Sequence, residues 1–146
     1  MSGEWHEIFD DSSSSHRANV RLFTVAEARA LIPELLPMLR DLRAARRRVV
    51  DLRDRVEGLT PAMRQNGHAA QAAELEQGLV AGVQHLTRIL ERLTTLGVLV
   101  KDMEHGLIDF PALRDGRIIL LCWRMDEPTV AYWHEVDSGF GGRRPL

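Results

Sequence analysis

The sequence predicts an α+β protein in which a long antiparallel helical hairpin, similar to a coiled coil, precedes a small antiparallel β-sheet of three to four strands. Between residues 24 and 96, apolar residues recur at alternating spacings of three and four, as in paired helices. After Gly97 the period changes to that of extended strands. The 146-residue chain suits one domain, which we place at 21–146, with the hairpin at 24–96, the strands at 98–136 and a glycine- and arginine-rich tail at 137–146.

The first helix begins at a capping box, in which Thr24 precedes Glu27 by three residues. Its apolar stripe consists of Leu31, Leu35, Met38, Leu42, Ala45, Val49, Leu52 and Val56. Pro33 and Pro37 each remove a backbone donor, so we expect a kink or a short lead-in helix there. After Pro37 the helix should continue unbroken to Gly58.

The second helix is expected from about His68 to Leu96, with Gly97 as its C-terminal cap. Its stripe consists of Ala72, Leu75, Leu79, Gly82, Leu86, Ile89, Leu93 and Leu96. A second apolar line at the open end of the hairpin predicts that the sheet covers this end while the loop end projects as a stalk: Ile32, Leu36, Leu39, Val80, Val83 and Leu90. Because a lone helix pair is poorly stable, we expect a homodimer formed through the helices. Gly78 and Gly82 predict a packing notch, either within the hairpin or at the dimer contact.

Strands are predicted at residues 98–101, 107–110, 117–123 and 129–136, with Asp115-Gly116 as the strongest hairpin signal. Residues 118–123 are apolar on both faces, as expected for a strand that is covered on both sides. The acidic, serine-rich residues 1–20 contain little apolar surface, so we expect a disordered tail there.

The C-terminal third concentrates carboxylates around one imidazole. The candidate ligand or metal cluster consists of Asp102, Glu104, Asp109, His134, Glu135 and Asp137. Carboxylates with histidine are ligands for divalent metals such as zinc, manganese or iron, and they are also the components of an acid/base site. His134 and Glu135 are neighbours on a predicted strand and should point to opposite faces, whereas Glu135 and Asp137 share a face. The structural alternative is that these groups satisfy backbone donors at turns and strand ends.

The single cysteine is expected to be structural. If residues 125–128 form the hairpin loop, Cys122 lies opposite Ala131 while His134 lies opposite Ile119 on the other face. That register argues against a cysteine–histidine pair and favours a buried, inert thiol.

Aromatic and basic residues form a second candidate site, an aromatic wall with anion-binding arginines: Trp123, Tyr132, Trp133, Arg143 and Arg144. Guanidinium groups and glycine-rich backbone suit an anion. The alternatives are core packing for the rings and solvation for the arginines.

Net charge and composition argue against partners that bind through a strong overall charge, such as nucleic acid and anionic membranes. The net charge is −2 with 27% charged residues, so no global field attracts nucleic acid or an anionic membrane. Arginines in residues 43–55 are interleaved with acidic residues, which favours an ion-paired stalk over a nucleic-acid interface. Because the sequence has one cysteine and no N-terminal hydrophobic run, we expect a cytoplasmic protein without a membrane segment.

Many residues, most densely in the C-terminal third, match one family. They include Phe23-Thr24-Val25, Val100-Lys101-Asp102, Gly106-Leu107, Asp109-Phe110-Pro111, Leu121-Cys122-Trp123, Tyr132-Trp133-His134-Glu135 and Gly139-Phe140. Over residues 22–146 the chain resembles the bacterial family called domain of unknown function 2203. The resemblance implies a small cytosolic protein and transfers no catalytic residues.

Three functional hypotheses remain, and the sequence leaves open whether the protein is an enzyme. The leading one is a non-catalytic cytosolic binding or assembly module that dimerises through its hairpin, with a stalk that contacts a protein partner. The second is a metal-dependent or acid/base site built from the C-terminal cluster, with a divalent metal as its cofactor. The third, nucleic-acid binding by Arg46 to Arg48, has the least support.

Overall fold

The computed structural model describes residues 20–146, so the tail expected at residues 1–20 lies almost wholly outside the described part of the chain. Three helices come first: α1 (Val25–Glu57), α2 (Pro61–Gln65) and α3 (Ala69–Leu96). Five strands follow: β1 (Leu99–Asp102), β2 (Leu107–Arg114), β3 (Arg117–Arg124), β4 (Tyr132–His134) and β5 (Arg144–Pro145), with a short 3-10 helix at Phe140–Gly142. The predicted α+β class is confirmed, with one strand more than expected.

Helix α1 begins at the predicted capping box, because Thr24 Oγ1 accepts from the Glu27 amide at 3.1 Å and Glu27 Oε1 accepts from the Thr24 amide at 3.4 Å. Pro33 and Pro37 both lie inside this one helix, so the prediction of a separate lead-in helix is wrong. Leu35 and Leu39 have no exposed surface, and this packing offsets the hydrogen bonds that the two prolines remove.

Helices α1 and α3 run antiparallel, since Leu52 packs beside Gly78 while Asp41, earlier in α1, contacts His85, later in α3. The glycine notch lies within the hairpin. A Cβ added to Gly82 would come within 3.3 Å of Val49 Cγ2, and one added to Gly78 within 3.7 Å of Leu52 Cδ1. Of the two locations predicted for the notch, the contact inside the hairpin is therefore confirmed.

The sheet is antiparallel in the order β1-β2-β3-β4-β5. Its inner face packs on the open end of the hairpin, where Phe110, Trp123 and Trp133 join Leu39 and Leu93 in one core. Phe23 completes this contact, with its ring 5.2 Å from that of Phe110. Among the described residues, no helix is both long and apolar enough to cross a membrane.

Strand β4 is shorter than predicted, and its register differs by one residue. Cys122 lies opposite Tyr132 and Leu120 opposite His134, so the expected partners Ala131 and Ile119 are wrong. The connection after β3 is longer than a four-residue loop because Val130 is fully buried in the core and Glu127 Oε1 caps the Arg124 amide at 2.8 Å. A one-residue change of register moves every side chain to the other face, so Cys122 and His134 share a face.

Candidate metal centre on the outer face of the sheet

Three adjacent strands bring Asp109, Cys122 and His134 together on the face of the sheet that points away from the helices. Asp109 on β2 lies directly opposite Cys122 on β3, and His134 follows on β4. Their exposed fractions are 1%, 1% and 3%. One ligand atom from each residue lies within 4.8 Å of the other two, so this buried cluster has the composition and spacing of a metal centre.

Hydrogen bonds at both ring nitrogens orient His134. Nδ1 lies 2.7 Å from the backbone oxygen of Glu135, which only accepts, so Nδ1 carries a proton. Nε2 lies 3.1 Å from both carboxylate oxygens of Asp109. A neutral imidazole held in this way directs the lone pair of Nε2 at the carboxylate, and only a proton or a cation between them makes that contact favourable.

Burial alone would lower the pKa of His134. The hydrogen bond to Asp109, the charge of Asp109 and the hydrogen bond to Glu135 outweigh it, and the pKa is raised above its ordinary value of 6.5. In the metal-free protein, this shift favours the imidazolium form that pairs with the buried carboxylate.

Lys101 adds a second positive charge at the rim of the cluster. Its Nζ lies 3.9 Å from Asp109 Oδ2, and its side chain is 24% exposed. The β1–β2 register shifts between Val100 and Asp102, an irregularity that includes Lys101. Lys101 therefore reaches the carboxylate of Asp109 from the β1 edge of the sheet.

Cys122 carries a protonated thiol at neutral pH. Burial, followed by the negative charge of Asp109, raises the pKa of the Cys122 thiol to about 12. A thiol in this state is a poor nucleophile, because the thiolate is the reactive form. A bound metal ion would reverse this preference, since coordination deprotonates a thiol.

Arg143, in the C-terminal segment, lies beside the cluster. Arg143 Nη2 donates to Glu127 Oε1 at 2.7 Å and to the backbone oxygen of Cys122 at 3.3 Å. Its guanidinium lies 4.2 Å from the ring centre of Tyr132 and 4.5 Å from that of Phe140. Within the described chain, Arg143 is thus neutralised by Glu127 rather than directed at a bound anion.

The predicted aromatic wall is not a single surface. Tyr132 and Trp133 are neighbours on β4 and point to opposite faces. Trp123 is 1% exposed in the core, and its Nε1 donates to the Glu127 backbone oxygen at 3.1 Å. Arg144 lies 5.2 Å from the Trp133 ring, away from Arg143 and Tyr132.

Of the six predicted cluster residues, the structure joins Asp109 and His134. Asp102 pairs with His105, and this contact lowers the pKa of its carboxyl group. Glu104 pairs with Arg46 and Arg47, and Glu135 pairs with Arg117 at 2.5 Å. Asp137 is exposed. Of these four, Asp102 also accepts from the His105 backbone amide at 2.9 Å, which is the kind of turn contact that the structural alternative expected.

Cys122 is the third member of the cluster, although the register predicted from the sequence argued against a cysteine–histidine pair. The sequence did contain a signal that places Cys122 beside Asp109. The two-residue turn at Asp115-Gly116 pairs Arg114 with Arg117, and the same register pairs Asp109 with Cys122. The error lay in the predicted register of β4, which placed His134 on the opposite face.

Comparison with known proteins supplies a family and no activity. No curated protein and no solved structure matched the chain. The profile of the family described as "Uncharacterized conserved protein (DUF2203)" matches residues 21–146, which is most of the sequence. The predicted resemblance is therefore confirmed, and the chain belongs to the DUF2203 family.

Proposed function

We propose that the protein binds a divalent transition metal, with zinc as the best match, through Asp109, Cys122 and His134. The observation that carries the proposal is the orientation of His134, whose Nδ1 is held by a backbone carbonyl while Nε2 faces a buried carboxylate beside a buried thiol. Metal-binding histidines usually donate their other ring N–H to such a partner. Carboxylate, thiolate and imidazole are all ligands of zinc.

The surroundings of the cluster favour a site over a purely structural role. Leu120 and Pro111 lie on the same face and are buried, so the three polar groups are enclosed beside apolar neighbours. Burying such groups is costly unless they are paired or bind a metal, and Cys122 adds a third potential ligand atom that the Asp109–His134 pair does not require. Three protein ligands would leave one coordination position open, which is typical of catalytic zinc sites.

Metal content tests the proposal directly. Untagged protein purified without chelator should contain stoichiometric metal by elemental analysis, and His134→Ala should contain none. His105→Ala is the matched control, because His105 is an exposed histidine paired with Asp102. Wild-type protein that contains no metal and takes up none from added zinc would contradict the proposal.

Cobalt substitution identifies the ligands independently of metal content. Cobalt-loaded wild-type protein should show the near-ultraviolet charge-transfer absorption of a sulfur ligand, and Cys122→Ser should lack that band while His105→Ala keeps it. Affinity should increase with pH, because binding displaces protons from Cys122 and His134. A cobalt spectrum unchanged in Cys122→Ser would exclude the thiolate from the site.

A second candidate function is assembly through the hairpin, which we propose on a separate observation. Val80 and Val83 on α3 are 57% and 44% exposed, so the prediction that the sheet covers them is wrong. Contiguous exposed apolar patches mark protein–protein contacts, and Val80 and Val83 are neighbours about one helical turn apart. Sedimentation of the full chain should show a dimer at micromolar concentration, and a folded monomer across that range would contradict this function.

Nucleic-acid binding has less support than either candidate. Arg46 and Arg47 on α1 both pair with Glu104, which reduces the positive charge available to phosphate groups. The ion pairs Arg55–Asp51 and Arg53–Glu57 extend the same pattern toward the loop end of the hairpin.

A further inference from the structure

We infer that the outer face of α3 binds a second copy of this chain, antiparallel to the first, with the twofold axis passing close to Val80 and Ala81. This inference rests on the proposed assembly function and names its partner and geometry. The α3 face is defined by Ala73, Gln77, Val80, Ala81, Gln84 and Thr87, all of which are exposed.

The α3 face is uncharged along its centre and consists of alanine, valine, glutamine and threonine side chains. A shallow groove on it is lined by Ala73, Gln77, Val80 and Gln84 together with Glu76. Glu76 is already paired with Arg64 of α2, so its charge is balanced within the chain. The exposed side of α1 is different, because arginines and acidic residues alternate along it. Two α3 faces can therefore meet without burying a charge along their centre, whereas two α1 faces would bury many charged side chains.

The order of side chains on the α3 face is self-complementary when one copy is reversed. Val80 then meets Val80 of the second copy, and Ala73 meets Thr87 of the second copy. Gln77 meets Gln84 of the second copy, where each amide offers both a donor and an acceptor. A twofold interface requires this property, because the same surface patch is used on both subunits.

Charges along one edge of the face give a second, independent match. Glu74 and Arg88 lie on the same edge about four helical turns apart, with Ala81 midway between them. In an antiparallel pair the same edges face each other, so Glu74 meets Arg88 of the second copy twice around the axis. Within residues 20–146, neither Glu74 nor Arg88 forms an ion pair, so both charges are available to the second copy.

A charge-reversal series measured by sedimentation tests this arrangement. Glu74→Arg should weaken the dimer roughly tenfold or more, because it opposes two cations at both ends of the contact. The double variant Glu74→Arg with Arg88→Glu should restore wild-type affinity. Asp51→Arg on α1 is the matched control and should leave affinity unchanged, and circular dichroism should show equal helicity in every variant.

A cysteine cross-link tests the position of the axis. Ala81→Cys should form a disulfide-linked dimer under mild oxidation, whereas Ala44→Cys on the exposed side of α1 should not. The native Cys122 will not compete, because it is buried and the pKa of its thiol is about 12.

The outcomes separate the inference from the function on which it rests. A monomeric wild-type chain overturns both. A dimer that withstands Glu74→Arg, or that is not restored by the double variant and does not cross-link at Ala81, overturns the α3 geometry and leaves assembly through another surface. Restoration by the double variant together with cross-linking at Ala81 supports the antiparallel α3 pair.

Discussion

Ionisable groups are arranged differently in the hairpin and in the sheet. On α1, Asp51 and Arg55 form an ion pair at 3.9 Å while 68% and 59% exposed. On the sheet, Asp109 and His134 are in contact at 3.1 Å, and their side chains are only 1% and 4% exposed. Water screens the first pair and not the second, so loss of one partner has very different consequences in the two regions. The number of ion pairs in a region therefore says little about its contribution to stability or about the presence of a site.

The largest expected effect comes from removing the buried anion. Asp109→Ala should lower the free energy of unfolding by about 3–5 kcal/mol in urea titrations, because His134 and Lys101 lose their counter-charge. Asp109→Asn, which keeps the shape and removes the charge, should behave similarly. A loss below about 1 kcal/mol in both variants would show that the cluster is not held by charge.

Metal should stabilise the sheet region specifically. Zinc present at about one hundred times its dissociation constant should raise the free energy of unfolding by about 2.7 kcal/mol. Thermal unfolding with and without zinc measures this. His134→Ala should lose the effect and His105→Ala should keep it; an equal zinc response in His134→Ala would place the metal elsewhere.

The pH dependence of metal-free protein reports on His134. Because its folded pKa is raised above 6.5, folding binds an extra proton in this range, and the resulting stability is fully present below pH 6.5. That contribution should be lost as pH rises through the raised pKa. Urea titrations from pH 6.5 to about 7.5 measure the slope below the range in which the thiol of the unfolded chain titrates. His134→Gln should reduce the slope of the free energy of unfolding against pH. An unchanged slope would assign the pH dependence to another group.

Alanine substitutions in the glycine notch of the hairpin should change the free energy of unfolding by a smaller amount. Gly78→Ala should stabilise the chain by up to about 1 kcal/mol, since helix propensity improves and the new methyl group meets Leu52 at ordinary contact distance. Gly82→Ala should stabilise the chain less, because Val49 must shift to accept a Cβ that would lie 3.3 Å from its Cγ2 atom. Chemical unfolding of both variants tests the order, and a larger gain at Gly82 would contradict it.

The smallest effect is expected at the exposed ion pair. Asp51→Ala should change the free energy of unfolding by no more than about 0.5 kcal/mol, and added salt should reduce even this difference. A loss comparable to that of Asp109→Ala would remove the proposed contrast between the two regions.

The features that depend on neighbours along the chain could be predicted from the sequence alone. Thr24 and Glu27 identify the start of α1, and Gly97 ends α3 with a φ of 89° that suits glycine. Asp115 and Gly116 both have positive φ, 51° and 78°, so this dipeptide determines the β2–β3 register and with it the Asp109–Cys122 pair.

The register of β4, and with it the composition of the candidate site, depends on tertiary packing. The connection from β3 to β4 has no local turn signal that defines its length; its path depends on the burial of Val130 and on the contacts of Glu127 with Arg124 and Arg143. These contacts join residues on different segments, and a difference of one residue determines whether His134 faces Cys122. For this physical reason the sequence predicted two residues of the cluster, and the packing of the sheet supplied the third.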